Sequence, residues 1–399
     1  MLKNKIYKHL EEREQEIIQL RRYLHQNAEP SFKEFKTAEY IKNFYGKYKN
    51  GVEVRYPVGL HGVTIKIKGG QPGRTLALRA DFDALELTEE TGVEYSSKNP
   101  GVMHACGHDA HTAVLLIVAD TLIKFREELC GDIVIIHQYA EEVSPGGAKA
   151  MVDDGALAGA DAVVGGHVWG TAYKTGEIAV RSGMAMAGRS YFKTTITGSG
   201  GHGSQPHSCI DPIVAASHFV VAVQSILGRN INPLDPAVVT IGRFEGLGSF
   251  NIIPGSAVLE GDTRYFSEDV KLLLEKRFKE ILEGITAAHG CSFELDYRHD
   301  YAATVNDAKL AEFARKFIEA DTGPGLKLRE SEPIMGSEDF SCYQTQAPGL
   351  YVFFGASPKN KNGEVYPHHH PKFNIDETCL VKCAKFYAGF AVDFLENYS

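Results

Sequence analysis

The chain carries 399 residues, 43% of them apolar and 23% charged, with a formal charge of −9. A length beyond the usual single core predicts two domains, and the ordinary apolar share predicts a chain that folds throughout. Charge spread without a run of Lys and Arg argues against a nucleic-acid partner, and seven cysteines at irregular spacing argue against a disulfide scaffold and for a reducing, cytoplasmic compartment.

The first eighteen residues or so are charged and amphipathic, without the apolar core of an export signal. No uninterrupted apolar stretch reaches the ~20 residues of a bilayer span, so no membrane partner is expected. Apolar positions at helical spacing over 6–45, interrupted near Pro30, predict two helices covering a sheet. Short apolar runs at 63–67, 75–79, 132–139 and 161–165 then alternate with helical patterns at 109–128 and 147–154. Strands alternating with helices predict an α/β domain with a mixed, largely parallel sheet.

After about residue 187 the rhythm changes to a strand (191–197), a helix (212–227), two strands (237–244 and 257–265), a helix (267–289) and a strand (292–297). That βαββαβ order predicts a ferredoxin-like domain over 187–301, inserted into a discontinuous domain of 1–186 and 302–399. The exposed edge of its sheet could pair across a two-fold axis, which predicts a homodimer or a dimer-based tetramer. Beyond it lie an apolar run at 351–354, a long irregular loop over 357–371 and a helix over 377–396.

Sixteen histidines are present, and several stand beside Asp, Glu, Gly or Cys where apolar runs end. In Met103-His104-Ala105-Cys106-Gly107-His108-Asp109, a thiol and an imidazole one residue apart in a turn can face one ion, with Asp109 or His111 orienting a ligand from behind. The strand at 132–139 runs into Glu141 and Glu142. Two adjacent carboxylates are costly unless a cation or a proton compensates, so one can bind metal while the other serves as a general base. His167 ends another strand, Asp81 and Asp83 end a third, and the triplet 368–370 supplies a further ligand. Carboxyl ends of parallel strands are where open α/β sheets gather ligands. The loop 198–207 is rich in glycine but is no phosphate loop, since it lacks the Lys-Ser/Thr that such loops need; its His202 could swing over a site and polarise an oxyanion.

With these residues in place, the chain closely resembles the M20 metallopeptidases, in the branch of aminoacylases, hippurate hydrolases and auxin-conjugate hydrolases. The resemblance spans Arg21 to His25, Arg79 to Leu85, Met103 to Asp109, Ala140 to Glu142, Gly200 to His202, Asn251 to Pro254, Met335 to Phe340 and His369 to Phe373. It implies a metal-dependent amidohydrolase that cleaves N-acyl amino acids or related small conjugates. The implied site holds two divalent ions per subunit, Mn²⁺ or Zn²⁺ with Co²⁺ or Ni²⁺ as alternatives, on Cys106, His108, Glu142, His167 and His369. Glu141 is then the base, His202 reaches in from the inserted lid and dimerisation domain, and Asn251 and Arg264 hold the substrate carboxylate. Two departures, the long segment Val143 to Gly147 and Ser204-Gln205 ahead of Pro206, leave the acyl pocket open. An aminopeptidase or dipeptidase of the same superfamily and a silent metal-dependent binding protein are the alternatives.

Overall fold

A computed structural model describes residues 1–157, 159–358 and 364–398. Residues 359–363 of the long irregular loop thus lie outside the described residues. The chain divides into two compact units, one of 1–185, 305–332 and 339–399, the other of 186–304 and 333–338.

The larger unit is a mixed α/β fold around an eight-stranded sheet. Its strands run in the order Val52–Val58, Gly62–Ile67, Cys130–Gln138, Gln71–Asp81, Ala162–Trp169, Gly349–Gly355, Glu177–Val180 and Lys327–Glu330. Parallel pairing joins 71–81 to both 130–138 and 162–169, and joins 162–169 to 349–355, while the first strands of the order pair antiparallel. The central strands are buried over 75–81 and along nearly all of 130–138 and 162–169, so these stretches read as apolar runs and were visible in the sequence. Val52–Val58 is half exposed and irregularly patterned, and Glu177–Val180 is only four residues long, which is why no periodicity announced either.

The His108–Lys124 helix is buried on almost every side, and Leu380–Asn397 packs on it, on Leu2–Glu12 and on the 71–81 strand. The N-terminal region makes three helices rather than two: Leu2–Glu12, Glu14–Gln26 and Phe35–Tyr45. The additional break falls at Arg13, whose guanidinium binds Glu16 and Asp120 of the 108–124 helix and so holds the junction. No proline or glycine marks it.

The smaller unit is a four-stranded antiparallel sheet in the order Ala237–Glu245, Ser256–Tyr265, Gly188–Thr197 and Ser292–Tyr301. Its helices Pro212–Val223 and Glu268–Ala288 close an apolar core that includes Phe192, Phe219, Leu259, Leu274 and Phe278. Asp211 and Ser267 cap these two helices through side-chain hydrogen bonds to backbone amides. The stretch Pro212–Arg229 is apolar and long enough, by length and composition alone, to cross a membrane, although the sequence pointed to no such span. Its buried third is Pro212 and the stripe Ala215, Ala216, Phe219, Val223 and Ile226, which joins the core on the sheet. The segment 333–338 rejoins this unit, where Ala187 donates its N–H to the carbonyls of Ile334 and Gly336.

Candidate metal centre

The site is built where the parallel strands of the larger unit end. Gly107 stands at φ 92, and a Cβ there would lie 2.5 Å from Val168 Cγ2, so glycine alone fits the turn that starts the 108–124 helix with Cys106 and His108 facing inward. His108 Nδ1 lies 3.1 Å from both the carbonyl oxygen and the carboxylate of Asp83. These are acceptors, so Nδ1 carries a proton and Nε2 is the nitrogen turned to the cluster, where an ion can take the place of a second proton. His167, near the end of its strand, donates Nδ1–H to Val168 O at 2.7 Å, which leaves its Nε2 lone pair 3.2 Å from Cys106 Sγ.

Glu142 follows the 130–138 strand after a left-handed residue, Ala140 at φ 49. Its amide donates to Asp83 Oδ2 at 3.0 Å, and its Oε1 lies 3.2 Å from His369 Nε2 and 3.8 Å from His108 Nε2. His369 is itself left-handed, at φ 63, and its amide donates to Ala105 O at 2.9 Å. The ligand atoms fall into three overlapping groups, Cys106/His108/His167, Cys106/Glu142/His369 and His108/Glu141/Glu142, each within 4.8 Å.

Electrostatics and hydrogen bonding both fit a cation. Burial, and then the carboxylates of Glu142 and Glu141, push the Cys106 thiol up, which disfavours a bare thiolate where the donor set needs one. Burial opposes protonation of His108, yet Asp81, Asp83 and Glu142 outweigh it and raise that imidazole to about 10. Burial and neighbouring histidines instead hold His167 well below its usual value. His108 Nε2 and Glu142 Oε1 are buried atoms without a hydrogen-bond partner. Such atoms are rare in proteins, and a positive ion among them resolves both orphans together with the carboxylate excess.

Each remaining predicted residue has a definite place. Asp83 binds His108, the Glu142 amide and Ser31, the arrangement of a group that orients ligands. Asp81 grips His111 Nδ1 at 2.6 Å and Arg79 Nη1 at 2.7 Å, and His111 Nε2 in turn accepts from the Val168 amide. Asp109 pairs with Arg21 and His25 rather than with the five clustered side chains. Glu141 is buried beside Glu142.

The triplet divides its labour: His369 joins the cluster, His368 bonds the Val168 carbonyl, and His370 stacks on Tyr366. In the smaller unit, His202 is exposed and its Nδ1 accepts from the Ser204 hydroxyl, Asn251 lies on the strand-like turn beside it, and Arg264 bonds Asp262 and Ser337. Sequence reasoning passed over Arg79, which bridges Asp81, Gln138 and Asp339, and Glu34, which binds Ala140. An arginine inside an apolar strand was the available signal for the first.

An α/β unit whose parallel strands end in a cluster of Cys, His and Glu donors defines a metallohydrolase-like site. Residues 77–393 match Peptidase family M20/M25/M40, and the chain belongs to that family. It is 43% identical over 98% of both chains to a Bacillus subtilis (strain 168) protein, YhaA, named as an amidohydrolase. It is 38% identical over 98% of its length and 99% of the relative's to thermostable carboxypeptidase 2 of Saccharolobus solfataricus, and 37% identical over 96% of its length and 89% of the relative's to an N-acetyl-L-cysteine deacetylase of Bacillus subtilis. Among solved structures, a dinuclear metal-binding M20 peptidase from Bacillus subtilis superposes with a TM-score of 0.81 at 32% identity, covering 96% of this chain and 98% of that one. The chain is a metal-dependent hydrolase of amide bonds that uses divalent cations and takes small-molecule amides.

Proposed function

We propose that the protein cleaves the amide bond of N-acyl amino acids, with Cys106, His108, Glu142, His167 and His369 holding two divalent ions, Mn²⁺ or Zn²⁺, in each subunit. The observation that carries this reading is that Cys106, His108 and Glu142 each belong to two of the three donor groups, while hydrogen bonds to Asp83 and Val168 turn Nε2 of His108 and of His167 inward. When bound, the ions polarise the amide carbonyl and acidify water. Glu141 takes a proton from the attacking water and delivers it to the leaving nitrogen, so one carboxyl serves as base and then as acid. Asp83 keeps the His108 Nδ1 proton in place, with Asp81 holding His111 beside it and Asp109 tying the start of the 108–124 helix to Arg21 and His25.

The 187–301 region acts in this reading as a ferredoxin-like lid and dimerisation domain. His202 donates to the developing oxyanion, and Asn251 and Arg264 bind the substrate carboxylate, Arg264 by a bidentate pair.

The test is turnover of the metal-loaded protein on N-acetyl amino acids, hippurate and unblocked dipeptides. Blocked substrates should be preferred, and Glu141→Gln should lower kcat on the order of 10⁴-fold with bound metal unchanged. Full activity in that variant would remove Glu141 from the mechanism. The carboxypeptidase name of the archaeal relative favours a second reading, hydrolysis of peptides, which preference for the unblocked dipeptides would establish.

A further inference from the structure

Resting on the assignment of Glu141 and Glu142 above, we propose that Glu34 is a positioning residue: its buried carboxyl holds Ala140 in a left-handed conformation and thereby aims the Glu141-Glu142 pair into the metal centre. Among the described residues, the non-glycine positions with positive φ are Phe32, Ala140 and His369. A side chain makes that conformation unfavourable, so each needs an external hold. His369 has the Ala105 carbonyl. Ala140 has Glu34, whose Oε1 accepts the Ala140 amide at 2.8 Å, while the Ala140 carbonyl accepts from Gly147 N at 2.9 Å.

Glu34 stands at the start of the Phe35–Tyr45 helix and is fully buried, with Oε2 lacking a hydrogen-bond partner. A carboxyl in such a place is expensive unless it does something there. Nearby residues of the same loop bear on the same pair. Ser31 donates to Asp83 Oδ2, the oxygen that also accepts the Glu142 amide, and Ala84 N donates to Glu29 O. The loop 29–34 therefore grips both flanks of the acidic pair, the amide before Glu141 through Glu34 and the amide of Glu142 through Asp83. Burial, reinforced by Asp83, raises Glu34 to about 8, so near neutral pH the group is a neutral acid that glutamine mimics in shape.

The experiment compares Glu34→Ala, Glu34→Gln and the double variant Glu34→Ala/Ala140→Gly. Two readouts are followed: kcat and KM on an N-acetyl amino acid, and Co²⁺ binding to metal-free protein by quenching of Trp169. This is the single tryptophan, and its ring lies 5.6 Å from that of His167. Glu34→Ala should lower kcat on the order of 100-fold with KM little changed, because the carboxylates are misplaced rather than removed. It should also weaken Co²⁺ about tenfold.

Glu34→Gln should keep both within about threefold, since its carbonyl still accepts the Ala140 amide. The double variant should recover most of both losses, because glycine adopts the left-handed conformation unaided. Glutamine as damaging as alanine, or no recovery with glycine at 140, overturns the proposal. Should Glu34→Ala fail to fold, a tenfold or greater kcat loss in the folded Glu34→Gln protein overturns it equally. If the wild type hydrolyses no N-acyl amino acid, the substrate reading fails by itself, and the Co²⁺ titrations still decide the role of Glu34.

Discussion

The two units solve the problem of a stable interior in opposite ways. The larger one buries Arg21, Arg79, Asp81, Asp83, Asp109 and Asp339, each at most 1% exposed. The core of the smaller one is a cluster of apolar side chains closed by two helices on a sheet, and its candidate functional groups, His202 and Arg264, lie at or near the surface. Buried ion pairs seldom repay their desolvation, so a well-packed apolar interior is the more economical way to reach a given stability. The larger unit retains its charges because they fix directions: Asp83 fixes a histidine tautomer, and Arg79 fixes Asp81, which fixes His111 and through it the strand end at Val168.

That contrast can be broken by removing one keystone from each interior. Arg79→Met leaves Asp81 and Asp339 buried without their shared cation and should cost about 3–5 kcal/mol, read from urea denaturation. It should also weaken metal binding, since Asp81 then no longer holds His111 in place. Phe278→Ala should cost a similar ~3–5 kcal/mol by opening a cavity, with the metal content of the folded protein unchanged. Loss of metal in the Phe278 variant, or its retention at full affinity in the Arg79 variant, would contradict this division of labour between the units.

A smaller effect sharpens the same contrast from the catalytic side. His202 contributes to no core, and its contacts are local ones to Ser204 and to the short pairing with Ile252. His202→Ala should therefore leave melting temperature and metal content as they are, yet lower kcat by about 100-fold if the imidazole meets the oxyanion. Unchanged kcat would confine the reaction's donors to the larger unit.

What could be read in advance divides along similar lines. Continuous apolar strands, the 108–124 helix and the alternating elements of 188–301 were legible, since burial on both faces or on one face writes itself as a run or an alternation. The clustering of candidate donors was legible because thiol, imidazole and carboxylate groups stood at strand ends. Long-range partners were not. Nothing local distinguishes Asp83, which bonds His108, from Asp109, which is drawn off by Arg21 and His25 from the preceding helical region. Likewise Glu34 looks like any helix-starting acid until the fold brings Ala140 against it. The break at Arg13 was hidden for the same reason, because its cause is Asp120, far along the chain.

The dependence of stability on pH sets two carboxyls of the larger unit against each other. At Glu89, burial opposes ionisation but His25, the Ser97 amide and Thr91 outweigh it and lower the group from the usual 4.5 to about 2. A depressed carboxyl contributes stability that is present above the unfolded value and is lost as pH falls through the folded one. Glu89→Gln should thus be less stable than wild type at neutral pH, by about 1 kcal/mol or less for a group partly open to solvent, with the gap closing between about pH 4.5 and 2.

Glu34 has the opposite sign. Raised from 4.5 to about 8, it binds in the folded state a proton that the unfolded chain has released, so its contribution is present below pH 4.5 and is lost as pH rises toward 8. Glu34→Gln should match wild type near pH 4.5 and become the more stable protein above it, with the difference reaching its plateau past pH 8. Paired melting curves for the two glutamine variants must therefore diverge from wild type in opposite directions at neutral pH. Curves that moved together would mean that the Glu34 carboxyl is ionised and compensated, and that its hold on Ala140 is an ionic one.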